Sequence, residues 1–438
     1  MDTITTPSDY YHASYAGKRI LVKASGELLT EDLYRQIAEL TRADIRFILV
    51  GGAGAPLHQR WERYIQEWNV RHPNDPPRSR ERPMHHGVGI TSAELMEHAV
   101  LPIHEETRAQ IARQMPDFNV LEPSDIVCEQ QHDLGLVGEP RQINGLDRTR
   151  NVAALSVGTD AHGTLLNVNA DATARRITEQ LTAEIDEVIF LTGGAGGVTS
   201  HERRVPVIFS HDMREDGTHA TIEITGGMCK KCKEIRAMLP TVGKVVLTRD
   251  LQREIESVFG SGTMFVDSTQ LHRSMLLPDE ATIFRAVNER NVAEGKFRQR
   301  STEELRELEE HHSVVKIKGS LLGGFSLVPR SEGWAELAAL WAGHLGNGMG
   351  EVLSKHFREA FRRSLHKHLY ALSTPDKSDS DAETRTILRF TRYGFCYRGK
   401  LHELQRTAAI LPPDLLTYDT ESSGRKPLLF TMEKPERP

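Results

Sequence analysis

The chain has 438 residues, 38% of them hydrophobic and 26% charged, and a formal net charge of −6 at pH 7; this is the composition of a globular protein with room for two or three domains. The mildly acidic balance gives no general attraction for nucleic acid or anionic membrane, and no apolar run approaches the roughly 20 residues of a membrane span. Four cysteines are too few for a disulfide framework and the first residues lack a secretory pattern, so we expect a cytoplasmic protein.

The first half of the chain alternates predicted strands and helices. Residues 19–25 and 46–50 are short β-branched runs that predict buried strands, with an amphipathic helix at 31–42 between them. A further strand at 187–192 follows a helical stretch near 171–184. This alternation predicts an α/β domain with a mostly parallel sheet. A stretch rich in Pro, Arg and His, residues 66–90, predicts an irregular excursion from that core.

Four clusters in this half would suit phosphoryl transfer if the fold brings them together. Glycines let backbone amides approach a phosphate, a helix N-terminus favours anions, and lysines with a carboxylate arrange the charge. The residues concerned are Lys23, Gly51, Gly52, Gly54, Asn167, Asp171 and Lys231. Taken singly, each also has a plainer interpretation as a turn, a helix cap or a surface lysine.

A Cys-x-x-Cys pair, Cys229 and Cys232, lies beside the last of these clusters. No second pair completes a zinc ligand set, and neither histidine doublet has the spacing of a metal motif. We interpret both cysteines as reduced thiols and expect no metal site built from them.

In order and context these clusters resemble the amino-acid kinase family, acetylglutamate kinases in particular, over roughly residues 18–266. The matching segments are VKASGE, GGAGAP, LNVNADATA, GGMCKK and FGSGT. The resemblance implies an α/β/α sandwich in which Lys23 and Lys231 contact a phosphoryl group of ATP, with Mg²⁺. It also implies that Asp171 orients the lysines and that Asn167 holds an amino-acid substrate.

Two positions depart from that family. The arginine of its G-x-R-[VI]-T motif, which grips the substrate carboxylate, is replaced by Gly89, and the aspartate after the 187–192 strand is replaced by Gly193. Loss of a guanidinium removes a strong charge-assisted contact. We therefore expect a domain that keeps the phosphate-binding residues but lacks the arginine that binds the substrate carboxylate. Such a domain acts either as a kinase for another acid or as an amino-acid sensor.

The second half has its own pattern of strands around a glycine loop. We place the first domain at residues 1–268, a linker at 269–282 and a second domain at 283–438, beginning with a strand-like run at 283–287. The later predicted elements are strands at 314–317, 323–328, 334–341 and 368–373, and helices at 352–365 and 384–395. The loop at 343–351 joins a strand to a helix, which makes an anion-binding turn. For this motif taken alone, a plain connecting turn is the less favoured alternative.

This half resembles the GNAT acyltransferase family, most closely the acetyltransferase domain of N-acetylglutamate synthases, in segments such as RQRSTEEL, AELAAL, GEVL, LYALST, RYGF and SSGR. The resemblance implies that the loop binds acetyl-CoA, through Leu345, Gly346, Asn347, Gly348, Met349 and Gly350. It implies substrate contacts from Arg300, Ser373 and Arg425. Glu336, in a strand whose neighbours alternate apolar, is the predicted general base; its plainer interpretation is a solvent-facing strand residue.

Together the resemblances imply an enzyme that transfers acetyl from acetyl-CoA to the α-amine of L-glutamate or a close analogue, with a first domain that binds an amino-acid regulator. Two alternatives stay open: a bifunctional synthase and kinase that also uses ATP, and a sensor in which both sites have decayed. We expect small-molecule partners, no nucleic acid or membrane, and a homo-oligomer by analogy with these families.

Overall fold

The computed structural model describes residues 10, 13–85, 88–194, 196–256, 260–294, 297–330, 333–343, 348–373, 381–406, 415 and 427–434. The chain divides into two compact units, Tyr11–Gln270 and Leu271–Pro438, with Tyr10 belonging to the second. Among the described residues, no helix combines the length and the apolar composition needed to cross a membrane.

The first unit consists of short strands and helices in alternation. Its strands are β1 (Arg19–Ala24), β2 (Arg46–Gly51), β3 (Met84–His85), β4 (Val88–Gly89), β5 (Phe118–Val120), β6 (Ile126–Gln130), β7 (Val137–Ile143), β8 (Asn151–Ala154), β9 (Val157–Thr159), β10 (Leu165–Val168), β11 (Glu187–Leu191), β12 (Thr199–Ser200), β13 (Arg203–Arg204), β14 (Val207–Phe209), β15 (Lys244–Thr248) and β16 (Thr263–Val266). Its helices are α1 (Glu31–Arg42), α2 (Gly54–Arg71), α3 (Ala93–Leu95), α4 (Leu101–Gln114), α5 (Ala170–Gln180), α6 (Gly226–Val242) and α7 (Leu251–Glu256).

An eight-stranded sheet in the order β14-β16-β15-β11-β1-β2-β8-β5 forms the centre of this unit. Strand β1 pairs in parallel with β2 on one side and with β11 on the other, and only the edge formed by β16 and β14 runs the opposite way. Every residue of β1 and β11 is buried, as expected for a parallel sheet covered on both faces. The alternation predicted from the sequence is confirmed.

A small closed barrel, β10-β7-β6-β9, adjoins this sheet. Strand β10 leads directly into α5, whose N-cap is Asn169; the Asn169 side chain accepts a hydrogen bond of 2.8 Å from the backbone amide of Asp171. This cap fixes the first turn of α5 and with it the position of Asp171. The predicted irregular excursion is shorter than expected, because α2 continues to Arg71.

The second unit is built on a seven-stranded sheet in the order β17-β18-β19-β20-β21-β23-β22. The strands are β17 (His272–Met275), β18 (His312–Ile317), β19 (Ser320–Pro329), β20 (Trp334–Ala342), β21 (His368–Ser373), β22 (Cys396–Lys400) and β23 (Leu428–Glu433). The helices are α8 (Ala281–Ala293), α9 (Thr302–Glu310), α10 (Met349–Arg363), α11 (Ala382–Arg392) and α12 (Leu401–Arg406). Neighbouring strands are antiparallel except β20 and β21, which are parallel and are joined through α10.

Two predictions near the start of this unit differ from the structure. The strand-like run at 283–287 lies inside α8, where Ile283, Phe284, Val287 and Asn288 are buried. That spacing is helical, and a short apolar run does not distinguish a strand from one face of a helix. The stretch assigned to a linker, 269–282, contains β17, which pairs with β18 and so forms an edge of the sheet.

Candidate functional site in each unit

In the first unit, two lysines converge on one carboxylate. Lys23 comes from β1, Lys231 from α6 and Asp171 from the first turn of α5. Lys23 Nζ lies 2.7 Å from Asp171 Oδ1, and Lys231 Nζ lies 3.3 and 3.2 Å from the two oxygens of the same carboxylate. Both lysines are buried, with 5% and 9% of their surface exposed. The structure thus brings three of the predicted site residues together.

The charge of this trio favours an anionic ligand. Burial alone would raise the pKa of Asp171, but the adjacent ammonium groups of Lys23 and Lys231 outweigh burial and hold this pKa below its usual range. Burial lowers the pKa of Lys231, and the repulsion from Lys23 adds to that decrease, against the attraction of Asp171. With both lysines charged, two ammonium groups face one carboxylate. The excess positive charge suits a phosphoryl group.

The glycine loop after β2 lies beside the end of β1. The Gly52 amide donates a 2.9 Å hydrogen bond to the Ala24 carbonyl, and α2 begins at Gly54. A Cβ atom at Gly26 would lie only 2.7 Å from the Gly52 carbonyl oxygen. The two loops therefore meet through backbone atoms, and Gly26 is needed for their approach. Gly51, Gly52 and Gly54 were predicted from the sequence, whereas Gly26, in the VKASGE segment, was not.

The acidic side chain of Glu27 lies beside Gly193, the position where the resembling family has an aspartate. A Cβ atom at Gly193 would lie 3.1 Å from Glu27 Oε1, and one at Gly54 would lie 3.6 Å from Glu27 Oε2. The exposed Glu27 carboxylate therefore stands between the loops after β2 and β11. The sequence did not indicate this, because Glu27 and Gly193 are far apart along the chain and only the parallel pairing of β1 with β11 brings them together.

Asn167 belongs to a different cluster from the lysines. Its Nδ2 donates a 3.0 Å hydrogen bond to Thr91 Oγ1, and Arg82 Nη2 donates to the same oxygen at 2.7 Å. Thr91 is fully buried. The residue predicted to hold an amino-acid substrate is thus linked, through Thr91, to an arginine that the sequence analysis did not consider.

The two cysteines of the Cys-x-x-Cys pair lie on α6 and are free. Cys232 is buried, and burial raises the pKa of its thiol to about 12, so it is protonated at neutral pH. Across the part of the chain that the structure describes, no three His, Cys, Asp or Glu side chains are grouped to hold a metal ion.

In the second unit, the sheet separates between its two parallel strands. Strands β20 and β21 pair only from Trp334 with His368 to Glu336 with Tyr370, although both strands continue beyond this point. Within the separated part, β20 carries a bulge at Ala339, which has a φ angle of 46°. A bulge bends the strand that contains it. Among the residues that the structure describes, the separation leaves one edge of residues 337–342 without a strand partner on the β21 side.

Glu336 is the last residue of β20 that pairs with β21. Its Oε2 accepts hydrogen bonds from Arg330 Nη2 at 2.6 Å and from Arg330 Nε at 3.1 Å, and Tyr370 Oη lies 3.5 Å away. Burial alone would lower the pKa of Arg330, but the Glu336 carboxylate outweighs burial and holds this pKa above its usual range. Among the described residues, Glu336 Oε1 receives no hydrogen bond and remains able to accept one. This ion pair was not predicted from the sequence.

The other predicted substrate residues lie in different elements. Ser373 ends β21, in the part that has left β20, and pairs with Leu428 of β23. Arg300 directly precedes the capping box of α9, with its guanidinium 5.9 Å from the centre of the Phe297 ring. Arg425, Leu345, Gly346 and Asn347 lie outside the described residues.

The remaining loop residues form the start of α10. Gly348 is its N-cap with a φ angle of +88°, a conformation that favours glycine, and Met349 is fully buried. A Cβ atom at Gly350 would collide with the hydroxyl of Tyr393, at the C-terminal end of α11. Glycine at 350 therefore allows the Tyr393 hydroxyl to approach the first turn of α10, where backbone amides lack helical partners.

A buried polar chain supports the sheet beside the separation. Trp341 Nε1 donates to His312 Nε2 at 3.0 Å, so His312 carries its proton on Nδ1, which lies 2.8 Å from Ser326 Oγ. Ser326 in turn donates to the Leu308 carbonyl at 3.1 Å. Burial lowers the pKa of His312 to about 3, so its ring is neutral. Each polar group of this hydrogen-bonded series therefore has a partner, and the lack of a side chain at Gly324 leaves room for the His312 ring.

Comparison with known proteins gives relatives for the first unit. The model of the amino acid kinase family matches residues 18–240. Acetylglutamate kinase from Xanthomonas campestris is 26% identical over 252 residues, which are 53% of this chain and 58% of that protein. Protein arg11, mitochondrial, from Schizosaccharomyces pombe is 24% identical over 276 residues, 58% of this chain. The match covers 29% of the length of that second relative.

Two solved structures are similar over both units. N-acetylglutamate synthase from Neisseria gonorrhoeae, complexed with coenzyme A and L-arginine, superimposes with a TM-score of 0.60 at 17% identity, covering 98% of each chain. The same enzyme complexed with coenzyme A and N-acetyl-glutamate gives a TM-score of 0.53 at 18% identity, again over 98% of each chain. At these identities the likeness establishes the fold.

Proposed function

This chain belongs to the amino acid kinase family, and from that premise and its full-length likeness in fold we propose that it is a GNAT-type amino-acid N-acetyltransferase. The predicted fold class, a kinase-like α/β/α unit followed by a GNAT unit, is confirmed. The proposed reaction transfers acetyl from acetyl-CoA to the α-amine of L-glutamate or a close analogue. The kinase-like unit binds an amino-acid regulator.

The observation that carries this proposal is the separation of β20 from β21 at Glu336 and Tyr370. Past this point no described strand pairs with residues 337–342 on the β21 side, so their backbone is able to hydrogen-bond an extended ligand, as an edge strand does. The glycine-flanked start of α10 follows in the chain, and helix N-termini bind phosphates. One extended, pyrophosphate-containing molecule fits both features, and acetyl-CoA has that chemistry.

The residues around the separation supply the remaining chemistry. Acetyl-CoA provides an activated acetyl group when bound. Glu336 Oε1 accepts a proton from the substrate ammonium, directly or through water, and so makes the amine nucleophilic. Arg330 donates hydrogen bonds from both Nε and Nη2 to Oε2 and thereby fixes the direction of the carboxylate. Arg300, Ser373 and Arg425 remain the proposed contacts to the acceptor carboxylates and backbone.

The test is a panel of L-amino acids incubated with acetyl-CoA and the full-length protein, with release of the CoA thiol as the readout. We expect thiol release with L-glutamate or another dicarboxylic amino acid, because two carboxylates match two guanidinium groups. Absence of thiol release with every amino acid of the panel would refute the proposal. The same panel repeated with L-arginine measures regulation.

A second activity is favoured by the Lys23–Asp171–Lys231 trio, which has the parts for phosphoryl transfer from ATP. If the first unit is also a kinase, ATP turnover will depend on an N-acylated amino acid. In that case Lys23→Ala will reduce turnover by a factor of about 100 or more, because it removes one of two charges on the transferring group. If calorimetry detects no binding of ATP, this second activity is excluded and the first unit is a sensor.

By analogy with the families concerned, we propose a homo-oligomer in the cytoplasm, with small-molecule partners. Mass photometry of the purified protein and imaging of the tagged chain in its host measure these two properties.

A further inference from the structure

The last residue of the first unit is hydrogen-bonded to the end of a long helix. The first unit ends at Gln270, and the chain continues into the second unit at Leu271. Gln270 Nε2 donates hydrogen bonds to the Leu239 carbonyl at 3.2 Å and to the Pro240 carbonyl at 2.9 Å. Both carbonyls belong to the last turn of α6, where helical N–H partners run out. Gln270 therefore caps α6 at the point where the chain leaves the first unit.

A buried carboxylate fixes the Gln270 amide in this position. Asp267 Oδ2 accepts from Gln270 Nε2 at 3.0 Å, and Oδ1 accepts from the Thr269 amide at 3.0 Å and from the Thr269 hydroxyl at 2.7 Å. The Asp267 amide donates to the carbonyl of Gly243, directly after α6, at 2.8 Å. Burial alone would raise the pKa of Asp267, but the hydrogen bonds outweigh burial and hold this pKa below its usual range. The end of the first unit and the end of α6 are thus held together by a charged, fully engaged carboxylate.

The same helix carries Lys231 of the lysine–aspartate trio. Lys231 precedes Leu239 by eight positions, which at a rise of about 1.5 Å per residue places them about 12 Å apart along the axis. The core holds the helix over this length, through the buried apolar residues Cys232, Ile235, Met238, Leu239 and Val242. Since a closely packed helix transmits a displacement along its length, a shift at Lys231 also moves the carbonyls that Gln270 holds.

We propose that a nucleoside triphosphate bound at the Lys23–Asp171–Lys231 trio regulates the second unit through α6 and Gln270. Asp171 holds Lys231 at 3.2 and 3.3 Å, and a phosphoryl group between the two lysines competes with this carboxylate for Lys231. Because Lys231 is buried, its side chain has little freedom of its own, and the change of partner moves α6 relative to α5.

The main chain carries this movement into the second unit. One residue, Leu271, separates Gln270 from β17, which begins at His272 and pairs with β18 at the edge of the seven-stranded sheet. The effect requires binding of the nucleotide and no phosphoryl transfer. Nucleotide regulation is distinct from the amino-acid regulation proposed above, and it rests on the proposed function for the binding of CoA by the second unit.

The experiment is isothermal titration calorimetry of the full-length protein with ATP and Mg²⁺, without CoA and with saturating CoA. No amino acid is added, so no acceptor for a phosphoryl group is present. We expect CoA to change Kd for ATP by a factor of about 5 to 150, the usual range for two coupled sites. Coupling of binding is reciprocal, so the reverse titration with CoA must show the same factor for ATP.

Variants of Gln270 test the route. Gln270→Ala removes both hydrogen bonds to α6 and should reduce the coupling factor to below about two. Gln270→Glu, which keeps the length but loses the donors, should do the same. Kd for ATP without CoA should stay near that of wild type in both variants, which shows that the first unit is folded. Gln252→Ala is the matched control, because Gln252 is exposed and its amide contacts only Glu256 on its own helix α7; it should keep the full factor.

Three results would overturn the proposal. These are a Kd for ATP that is the same with and without CoA in wild type, a Gln270→Ala variant that keeps the full coupling factor, and a wild-type protein that binds no ATP. The last result would also exclude the kinase activity. The titrations involve no acetyl transfer, so a protein that binds CoA but acetylates no amino acid of the panel still gives a decisive answer.

Discussion

Replacement of Glu336 by glutamine is expected to lower kcat for acetyl transfer by about 100- to 10,000-fold, the usual contribution of a positioned general base. Glutamine keeps the shape and can still accept from Arg330, but its amide cannot take a proton from the substrate ammonium. KM for acetyl-CoA should change little, because Glu336 lies at the last pair of β20 with β21 and not in the α10 turn. Steady-state thiol release measures both constants.

Glu307 provides the matched control for this substitution. Arg330 Nη1 lies 2.8 Å from Glu307 Oε1, so the same arginine holds both carboxylates, but Glu307 is more exposed and belongs to α9. Glu307→Gln should stay within about threefold of wild type, because an exposed ion pair contributes little. An equal loss of kcat in both variants would mean that the Arg330 network, not proton transfer by Glu336, limits the reaction. The kcat of E336Q staying near that of wild type would exclude Glu336 as the base.

Acidification is expected to destabilise the second unit through His312. The folded protein holds this ring neutral with a pKa of about 3, whereas an unfolded histidine has a pKa of about 6.5. The unfolded state therefore binds a proton more readily, and the stability due to the neutral ring is complete above pH 6.5 and declines as the pH falls toward 3. The slope approaches about 1.4 kcal/mol per pH unit below pH 6, which amounts to about 2 kcal/mol between pH 6.5 and 4.5.

His312→Gln tests this effect with little change to the hydrogen bonds. The glutamine amide is able to accept from Trp341 and to donate to Ser326, as the neutral imidazole does, but it does not titrate. Hydrogen exchange of the 312–317 strand between pH 7 and 4.5 should show a smaller loss of protection in H312Q than in wild type. His311→Gln, at the adjacent half-buried position, should retain the full pH dependence. Identical slopes for wild type and H312Q would contradict the assignment.

The elements with clear periodicity were predicted well from the sequence. The buried runs at 19–25 and 46–50 and the alternating run at 334–341 are strands in the structure, because their side-chain patterns match the environments that those strands occupy. The run at 283–287 was predicted wrongly, since only the residues on either side of it show that its buried face is helical.

The site residues divide in a similar way. The order of motifs was enough to bring Lys23, Asp171 and Lys231 together, because each lies at the end or start of a regular element. Arg82 and Arg330 were missed because both lie outside regular elements and act through side chains that reach residues elsewhere in the chain. Their partners depend on loop conformation, which local sequence patterns do not specify.

The position of the Arg82 side chain changes how related sequences should be compared. A motif search that scores residue 89 alone would overlook that the Arg82 guanidinium lies against Gly89, where a side chain would begin. Residues 82 and 89 should instead be treated as a coupled pair, because any side chain at residue 89 requires the Arg82 guanidinium to move aside. Homologues that regain arginine at 89 should accordingly carry a small or uncharged residue at 82.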